Sequence, residues 1–397
     1  MAKKNTAKQT NPTTKKKKDG DIFVDDDLAN EIVSSLNQEY GSITNNVDDR
    51  LSNIKGWISS GCSVLDSIIT NNPDLDGSIP VGRLTSIVGD HSTGKSLLGY
   101  MILADCQKKG GVPILIDTEN SAPDWERMKS IGINPPPPYG TGTFLTPVAL
   151  TVEGVFSHIE HIIKKVREVQ PDRLITIVWD SVAATPTNFE TDRQYEEVEK
   201  PGVQAAAISR CLKKIISPIA NYKVALVFLN QTRVDLKANP MFGQNESYPG
   251  GKAIPFYSSL ILRLSNGGQI KAGMDIIGNK IKVTVKKNRL APPKRDCFFN
   301  VYYTRGVIDE ENWPEYLVQK DIVKKDGRSC LYTFEGKEYK FPQKGIDFVD
   351  WIRKDEEDIK KLRVHFQKEL KRAFYLEPDP FKRDEEFSLD SNDTSEW

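Results

Sequence analysis

Residues 89–96 read Gly89-Asp90-His91-Ser92-Thr93-Gly94-Lys95-Ser96, which matches the phosphate-binding pattern G-x-x-x-x-G-K-[ST]. The segment 84–88 before them is β-branched and predicts a strand, and the apolar segment 97–104 after them predicts a buried helix. A strand, a glycine turn and a helix N-terminus surround an anion with backbone N–H groups. The sequence therefore predicts a nucleoside triphosphate site, in which Lys95 contacts the β- and γ-phosphates and Ser96 is a ligand of Mg²⁺.

The composition and the cysteines limit the class of protein. The 397 residues contain 55 basic and 55 acidic side chains, and the five scattered cysteines never form a C-x-x-C pair. This pattern favours a reducing compartment and disfavours a zinc ribbon or a disulfide framework. No apolar run reaches membrane-spanning length, and the lysine-rich start lacks the hydrophobic stretch of a secretory signal. We therefore expect a cytoplasmic protein with no membrane partner.

The two ends of the chain differ in charge. Residues 1–20 hold seven lysines and one aspartate, whereas residues 377–397 hold eight acids and two bases. Such segments are typical of disorder. The basic tail suits nucleic acid, and two solubilising tails are the alternative. Between the tails we expect a helix and linker over 21–50, an α/β core over 51–305 and a small α+β domain over 306–376.

The core alternates apolar strands with helices, which predicts a mostly parallel central sheet. Further strands are expected at 112–117, 174–179, 224–229, 258–264 and 280–286, and further helices at 155–169 and 203–219. Beyond residue 306 the pattern predicts a hairpin of aromatic strands around 332–334 and 339–341, followed by helices at 346–353 and 356–375.

Acidic side chains follow two of the predicted core strands. Asp180 comes directly after the strand 174–179 and suits the second element of an Mg²⁺ site, beside Ser96. Asp117 and Glu119 stand at the end of the strand 112–117, where a carboxylate can orient the water that attacks the γ-phosphate. Spacing alone leaves the choice between these two open.

A polar segment follows the strand 224–229. Asn230 and Gln231 end this strand, and a side-chain amide there can sense the γ-phosphate. The next segment, 232–251, predicts a functional loop, because long structureless segments are uncommon in a compact core. Its basic and apolar side chains suit the phosphates and bases of single-stranded nucleic acid, with a solvated surface loop as the alternative. The candidate DNA-binding residues of this loop are Arg233, Lys237, Met241, Phe242, Gly250 and Gly251.

Residues 185–202 predict another polar loop. It is acidic, so that charge alone favours a solvated face. Its acids are Glu190, Asp192, Glu196, Glu197 and Glu199.

Together these segments resemble the RecA family of ATP-dependent DNA strand-exchange recombinases, including its phage-encoded members. The resemblance spans about 61–351 and rests on the order of several motifs. Besides the phosphate loop, these are Pro80-Val81-Gly82-Arg83, Ile116-Asp117-Thr118-Glu119, Val178-Trp179-Asp180-Ser181-Val182-Ala183-Ala184, Phe228-Leu229-Asn230-Gln231-Thr232-Arg233, Met241-Phe242-Gly243, Gly250-Gly251 and Lys286-Lys287-Asn288-Arg289-Leu290-Ala291-Pro292.

The resemblance implies roles around the nucleotide. Glu119, rather than Asp117, corresponds to the catalytic glutamate of the family. Gln231 corresponds to the residue that links the γ-phosphate to the DNA loop. The segments 185–202 and 232–251 correspond to the first and second DNA-binding loops.

It also implies roles away from the nucleotide of the same subunit. Lys213 corresponds to a DNA-contacting base on a helix, and Phe256 to an apolar position of the subunit interface. Lys287 and Arg289 correspond to two bases that reach the ATP of the neighbouring subunit. The expected helix within 21–50 corresponds to the segment that docks on the next subunit.

The chain departs from the family pattern at a few positions. Pro201 and Ala206 stand in the first loop where a methionine and an arginine are expected. Glu126 stands at the position of the adenine-stacking aromatic, with Trp125 beside it as a substitute. These departures and the lysine-rich tail favour a phage-encoded member, which would act in the host cytoplasm.

The resemblance implies a RecA-like P-loop ATPase core that uses ATP and Mg²⁺ and forms a helical homopolymer. Such a protein polymerises on single-stranded DNA and pairs it with homologous duplex DNA, with a single-strand-binding protein and a loader as expected partners. A hexameric helicase on the same core and a non-catalytic recombination mediator are the alternatives. A helicase of this type would need an accessory domain, and none is recognisable in this sequence. Mediators often lose the catalytic acid, whereas Glu119 is present here.

Overall fold

A computed structural model describes residues 54–119, 124–193, 202–234, 246–247, 249–343 and 345–377. Its strands alternate with helices through the core, as the sequence pattern predicts. In chain order the strands are β1 (Trp57–Ile58), β2 (Ile79–Pro80), β3 (Leu84–Gly89), β4 (Val112–Asp117), β5 (Ile175–Asp180), β6 (Val224–Gln231), β7 (Arg233–Val234), β8 (Glu246–Ser247), β9 (Leu260–Ala272), β10 (Asp275–Asn288), β11 (Asp296–Tyr302), β12 (Gly306–Val307), β13 (Lys324–Asp326), β14 (Ser329–Phe334) and β15 (Lys337–Pro342).

The helices that the sequence predicts within the described residues begin and end close to their predicted bounds, and the structure adds shorter helices that were not predicted. The predicted helix 155–169 starts earlier, at residue 152, because the side chain of Thr151 accepts a hydrogen bond from Gly154 N and caps it. The helices are α1 (Ser63–Thr70), α2 (Lys95–Lys108), α3 (Trp125–Ser130), α4 (Val152–Val169), α5 (Asn188–Thr191), α6 (Val203–Asn221), α7 (Ala253–Tyr257), α8 (Trp313–Gln319), α9 (Gly345–Ile352) and α10 (Glu357–Ala373).

The main sheet has eight strands in the order β12-β11-β10-β9-β3-β6-β5-β4. The five strands from β9 to β4 are mutually parallel, and β10, β11 and β12 extend the sheet through antiparallel pairs. The prediction of a mostly parallel α/β core is confirmed. Because β3, β6, β5 and β4 are neighbours, the residues at their carboxyl ends meet at one edge of the sheet.

Two apolar clusters cover the two faces of this sheet. Helices α4 and α6 bury one cluster, in which the ring of Trp179 contacts those of Phe156 and Phe228 edge to face, at 5.7 and 4.9 Å between centroids. Helices α1 and α2 bury the other, together with apolar side chains from residues 313–374. Sheet and helices therefore hold the carboxyl-end edge in a rigid frame.

The segment after residue 306 contains the predicted hairpin and helices. β14 and β15 pair with Phe334 opposite Lys337, which leaves Glu335 and Gly336 as a two-residue turn with positive φ at both positions (49° and 77°). Helix α10 contacts α1, where Gln367 Nε2 donates to Ser63 Oγ at 3.1 Å. The division of the chain at residue 306 remains a prediction.

Both predicted loops contain regular structure in their described parts. The segment 185–202 contains α5, where Thr187 and Glu190 form a reciprocal capping box, so that one of its acids serves a helix N-terminus. The ends of the segment 232–251 pair as the antiparallel strands β7 and β8. Lys237, Met241, Phe242, Pro201, the expected helix within 21–50 and both charged tails lie outside the described residues. Among the described residues, no helix has the length and apolar character that crossing a bilayer requires.

Candidate nucleotide-binding site

The phosphate-binding loop joins β3 to α2. Gly94 caps α2 with a left-handed backbone (φ 81°), and Ser92 also has a positive φ of 58°. Gly89 lies so close to β9 that a Cβ atom there would sit 2.4 Å from the carbonyl oxygen of Leu264. The glycine at position 89 is therefore required by the close approach of two strands. The loop leads directly into the N-terminus of α2, a position that favours an anion.

Lys95 is buried inside this loop. Its Nζ donates hydrogen bonds to the carbonyl oxygens of Gly89 at 3.0 Å and Asp90 at 2.6 Å. Burial lowers the pKa of this ammonium, and the carboxylates of Asp180, Glu119 and Asp90 oppose that shift. The ammonium thus lies in the turn, held by two carbonyls that a phosphate can replace as partners.

Asp180 is the buried acid of the site. It ends β5, opposite Asp117 at the end of β4. Burial raises its pKa to about 6, the negative charges of Glu119 and Asp117 add to that shift, and a hydrogen bond from Ser96 opposes it. A desolvated carboxylate beside a hydroxyl and two further acids favours a cation, so Ser96 and Asp180 suit Mg²⁺ together with a triphosphate.

Glu119 and Asp117 make different contacts. The hydroxyl of Ser181 donates to Glu119 Oε1 at 2.5 Å, which anchors Glu119 to the end of β5. Asp117 Oδ1 accepts the backbone N–H of Glu119 at 3.0 Å and so shapes the turn. Thr118 adds a second link across the strands, through its hydroxyl to Ser181 O at 2.9 Å. The sequence reasoning missed Ser181 as the partner of Glu119, although the residue stands in the quoted motif.

Gln231 lies beside the phosphate loop. It ends β6, opposite Gly89 in the register of β3 and β6, and it is half-buried. The fully buried Asn230 next to it donates from Nδ2 to Pro249 O at 2.8 Å. Asn230 therefore fixes the far end of the segment 232–251 to the strand, while Gln231 stands at the phosphate edge.

A cavity of about 400 Å³ opens beside residues 92–97. Arg127 and Tyr303 also line it, together with side chains of β10 and β11. Trp125, expected as the substitute for the adenine-stacking aromatic, instead packs on Tyr139 and Phe144, with ring centroids 5.9 and 5.7 Å away. The pattern of α3 did not reveal that its apolar tryptophan faces inward and that Arg127 lies on the cavity side.

The sequence matches the family model of the RecA N-terminal domain over residues 29–308. The chain belongs to the RecA family. It is 33% identical to the protein RecA of Ureaplasma parvum serovar 3 over 310 residues, which cover 77% of this chain and 85% of that one. It is 29% identical to the protein RecA of Malacoplasma penetrans over 83% of this chain and 93% of that one. The protein RecA of Clostridium acetobutylicum is 32% identical over 69% of this chain and 73% of its own length.

In this RecA-family chain, Phe256, Lys287 and Arg289 form one surface group. Phe256 on α7 is 66% exposed, and its carbonyl oxygen accepts from Lys287 Nζ at 3.2 Å and Arg289 Nη2 at 3.0 Å. No carboxylate among the described residues is ion-paired with either cation. None of the three lines the cavity beside the phosphate loop. Two cations and an exposed apolar ring therefore lie together on the surface, with Lys287 Nζ also bonded to Pro255 O at 2.6 Å.

The predicted DNA-binding residues of the RecA-family core are described in part. Lys213 is exposed on α6. Gly250 and Gly251 both have positive φ (85° and 69°) and lie at the turn before α7, where a Cβ atom would sit 2.7 Å from a neighbouring side chain. Arg233 begins β7, two residues after Gln231. Arg233, Gly250 and Gly251 thus lie at the two ends of the segment 232–251, and Lys213 lies on the helix that Gly250 and Gly251 approach.

Proposed function

We propose that this chain is a DNA-dependent ATPase that polymerises on single-stranded DNA and catalyses homologous pairing and strand exchange. The chain belongs to the RecA family, and one structural observation supports the proposal. The phosphate loop, Gln231, Asp180 and Glu119 follow four neighbouring parallel strands, β3, β6, β5 and β4. The start of the candidate DNA loop therefore adjoins the place where phosphates would bind.

The proposed chemistry assigns one task to each side chain. ATP supplies the phosphoryl group that is transferred to water, and Mg²⁺ neutralises charge on its phosphates. Residues 89–96 hold the phosphates, with Lys95 on the β- and γ-groups, and Ser96 and Asp180 are the protein ligands of Mg²⁺. Glu119, held by Ser181, orients the attacking water and accepts its proton. Arg127 and Tyr303 contact the base.

In the proposed filament, residues of a neighbouring subunit complete the ATP site. Lys287 and Arg289 contribute positive charge to the ATP of the neighbouring subunit, and Phe256 packs at the interface between subunits. Bound ATP then favours an extended state in which the DNA loop grips the strand, and hydrolysis releases it, as a shift between two populations. The residues proposed to contact DNA are Lys213, Arg233, Lys237, Met241, Phe242, Gly250 and Gly251. A cytoplasmic location, host cytoplasm for a phage protein, and a single-strand-binding protein and a loader as partners belong to the same proposal.

ATP turnover with and without single-stranded DNA, across salt concentrations, tests the function. We expect stimulation by DNA and a fall in DNA affinity with salt. Three basic contacts (Lys213, Arg233 and Lys237) give a log–log slope of about −2, at about −0.7 per phosphate of a single strand. Absence of ATP turnover in the presence of DNA would point to a non-catalytic mediator. Closed rings rather than filaments in electron micrographs with DNA and ATP would point to a helicase.

Gln231→Ala is expected to leave ATP binding largely intact and to weaken stimulation by DNA about tenfold. The physical reason is that Gln231 ends β6 opposite Gly89 and directly precedes the segment 232–251, so that an amide there can bond to the γ-phosphate and transmit its presence to that segment. One hydrogen bond to a charged acceptor accounts for an effect of about this size. The measurement is ATP turnover with saturating single-stranded DNA divided by turnover without it. Gln269→Ala, at an exposed position of β9, is the matched control. Full stimulation in the Gln231 variant would contradict the coupling role.

A further inference from the structure

Thr232 forms a second link between the phosphate loop and the segment 232–251. Its hydroxyl donates a hydrogen bond to the carboxylate of Asp90, the second residue of the phosphate loop. Its backbone N–H points to Gly89 O at 3.4 Å. Directly after β6, the side chain of Thr232 therefore bonds the chain to the phosphate loop. Thr232 is not one of the predicted DNA contacts, and its bond is separate from Gln231.

Asp90 accepts three hydrogen bonds, two from within the phosphate loop and its helix and one from Thr232. Its carbonyl oxygen accepts from Lys95 Nζ at 2.6 Å and from Thr93 Oγ1 at 2.8 Å, while its carboxylate accepts from Thr232. Loss of the bond from Lys95 to the Asp90 carbonyl therefore acts on the residue that holds Thr232.

The charge of Asp90 makes this arrangement sensitive to an anion. An exposed carboxylate on a loop built around an anion repels phosphate charge at close range. A phosphate also competes with the Asp90 carbonyl for the ammonium of Lys95. When a phosphate binds, it repels the carboxylate of Asp90 and also takes Lys95 from the carbonyl of Asp90. Because Thr232 is bonded to this carboxylate, a movement of Asp90 is transmitted to the segment 232–251.

We infer that Thr232 is a positioning residue that, through Asp90, couples the occupancy of the phosphate loop to the conformation of the segment 232–251. This inference rests on the proposed function. The link acts in parallel with Gln231, because it connects the same strand end to a different point of the phosphate loop. It makes no contact with the reacting atoms, so its effect lies in the coupling between nucleotide and DNA.

Thr232→Val tests the inference, because valine keeps the shape of threonine and lacks the hydroxyl. The ratio of DNA-stimulated to DNA-free ATP turnover is expected to fall about fivefold, as one hydrogen bond to a charged acceptor near solvent is lost. Thr232→Ser keeps a hydroxyl and is expected to retain most of the ratio. The matched control is Thr284→Val, which removes a threonine hydroxyl bonded to the carboxylate of Asp296 on the antiparallel part of the sheet.

Asp90→Ala removes the same bond from the other side and serves as an independent test. If the pair acts as a unit, the ratio in the double variant is no lower than in the poorer single variant. An unchanged ratio in Thr232→Val, or additive losses in the double variant, would overturn the inference. Failure of the proposed function is distinguishable, because it appears as absent DNA stimulation in the unmodified chain. Circular dichroism of each variant shows whether a loss reflects unfolding.

Discussion

Lys95→Ala is expected to abolish ATP hydrolysis and strand exchange together. The ammonium of Lys95 is buried in the turn of the phosphate loop, bonded to the carbonyl oxygens of Gly89 and Asp90. Alanine leaves no positive side chain at that point, and it also removes a charge that lowers the pKa of Asp180. Loss of one preorganised donor at a site of developing charge typically costs about 10²–10³ in kcat, so turnover should fall at least a hundredfold.

Two further variants make this experiment specific. Lys108→Ala, at the exposed end of the same helix, removes a lysine without touching the phosphate loop and is expected to retain hydrolysis. Lys95→Arg keeps the charge but replaces the compact ammonium with a larger planar guanidinium in a buried turn, so we expect it to lower hydrolysis as alanine does. Hydrolysis and exchange are measured on the same preparations. Strand exchange at the normal rate in Lys95→Ala would refute an ATP-driven mechanism.

The positions of the site residues along the chain were predictable from strand ends. Asp180, Gln231 and the pair Asp117 and Glu119 each stand at the end of an apolar strand, and parallel strands bring their carboxyl ends to one edge. In the sheet, Asp117 lies opposite Asp180 and Gly89 lies opposite Gln231, as this rule predicts. The order of strands was not needed for it. The preference for Glu119 over Asp117 comes from the family resemblance and not from the strand ends.

The contacts between these residues were not predictable. Ser181 bonds to Glu119 across 62 positions of the chain, and Thr232 to Asp90 across 142. The direction of a side chain at a strand end depends on the local turn, which sequence pattern does not report. For the same reason Trp125, an aromatic residue expected at the base, is half-buried and packs against Tyr139 and Phe144, while Arg127 lines the cavity.

Strand lengths outside the parallel part were also underestimated. The predicted strand 258–264 covers only the amino-terminal part of β9 (Leu260–Ala272), and the predicted strand 280–286 covers only the carboxyl-terminal part of β10 (Asp275–Asn288), so the longer hairpin between them was missed. Gly267, Gly268 and Gly278 interrupt the apolar alternation there, and glycine weakens the strand signal. The pairing continues across them with register shifts, which the alternation of side chains does not encode.

Glu119→Gln is expected to stop hydrolysis while ATP and DNA binding persist. The neutral amide has the size of the carboxylate and keeps an oxygen that can accept the hydroxyl of Ser181, so the turn after β4 should be preserved. It cannot accept a proton from the attacking water. A positioned general base contributes about 10²–10⁴ in rate, and turnover should fall within that range. Because release of DNA depends on hydrolysis in the proposed cycle, this variant should remain on DNA longer than the unmodified chain.

Three comparisons decide between Glu119 and its neighbours. Asp117→Asn tests the other acid of the same strand end, which bonds to a backbone N–H rather than to Ser181, and it should lower turnover less than Glu119→Gln. Ser181→Ala keeps the carboxylate but removes its anchor, so it should give an intermediate rate that reflects orientation alone. Glu315→Gln, on the surface of α8, controls for the loss of one negative charge. Normal turnover in Glu119→Gln together with loss in Asp117→Asn would transfer the catalytic role to Asp117. In the proposed cycle, only ATP hydrolysis drives the chain out of the state that grips DNA. Fast DNA release in a variant that cannot hydrolyse ATP would therefore show that release does not depend on hydrolysis, and it would contradict this cycle.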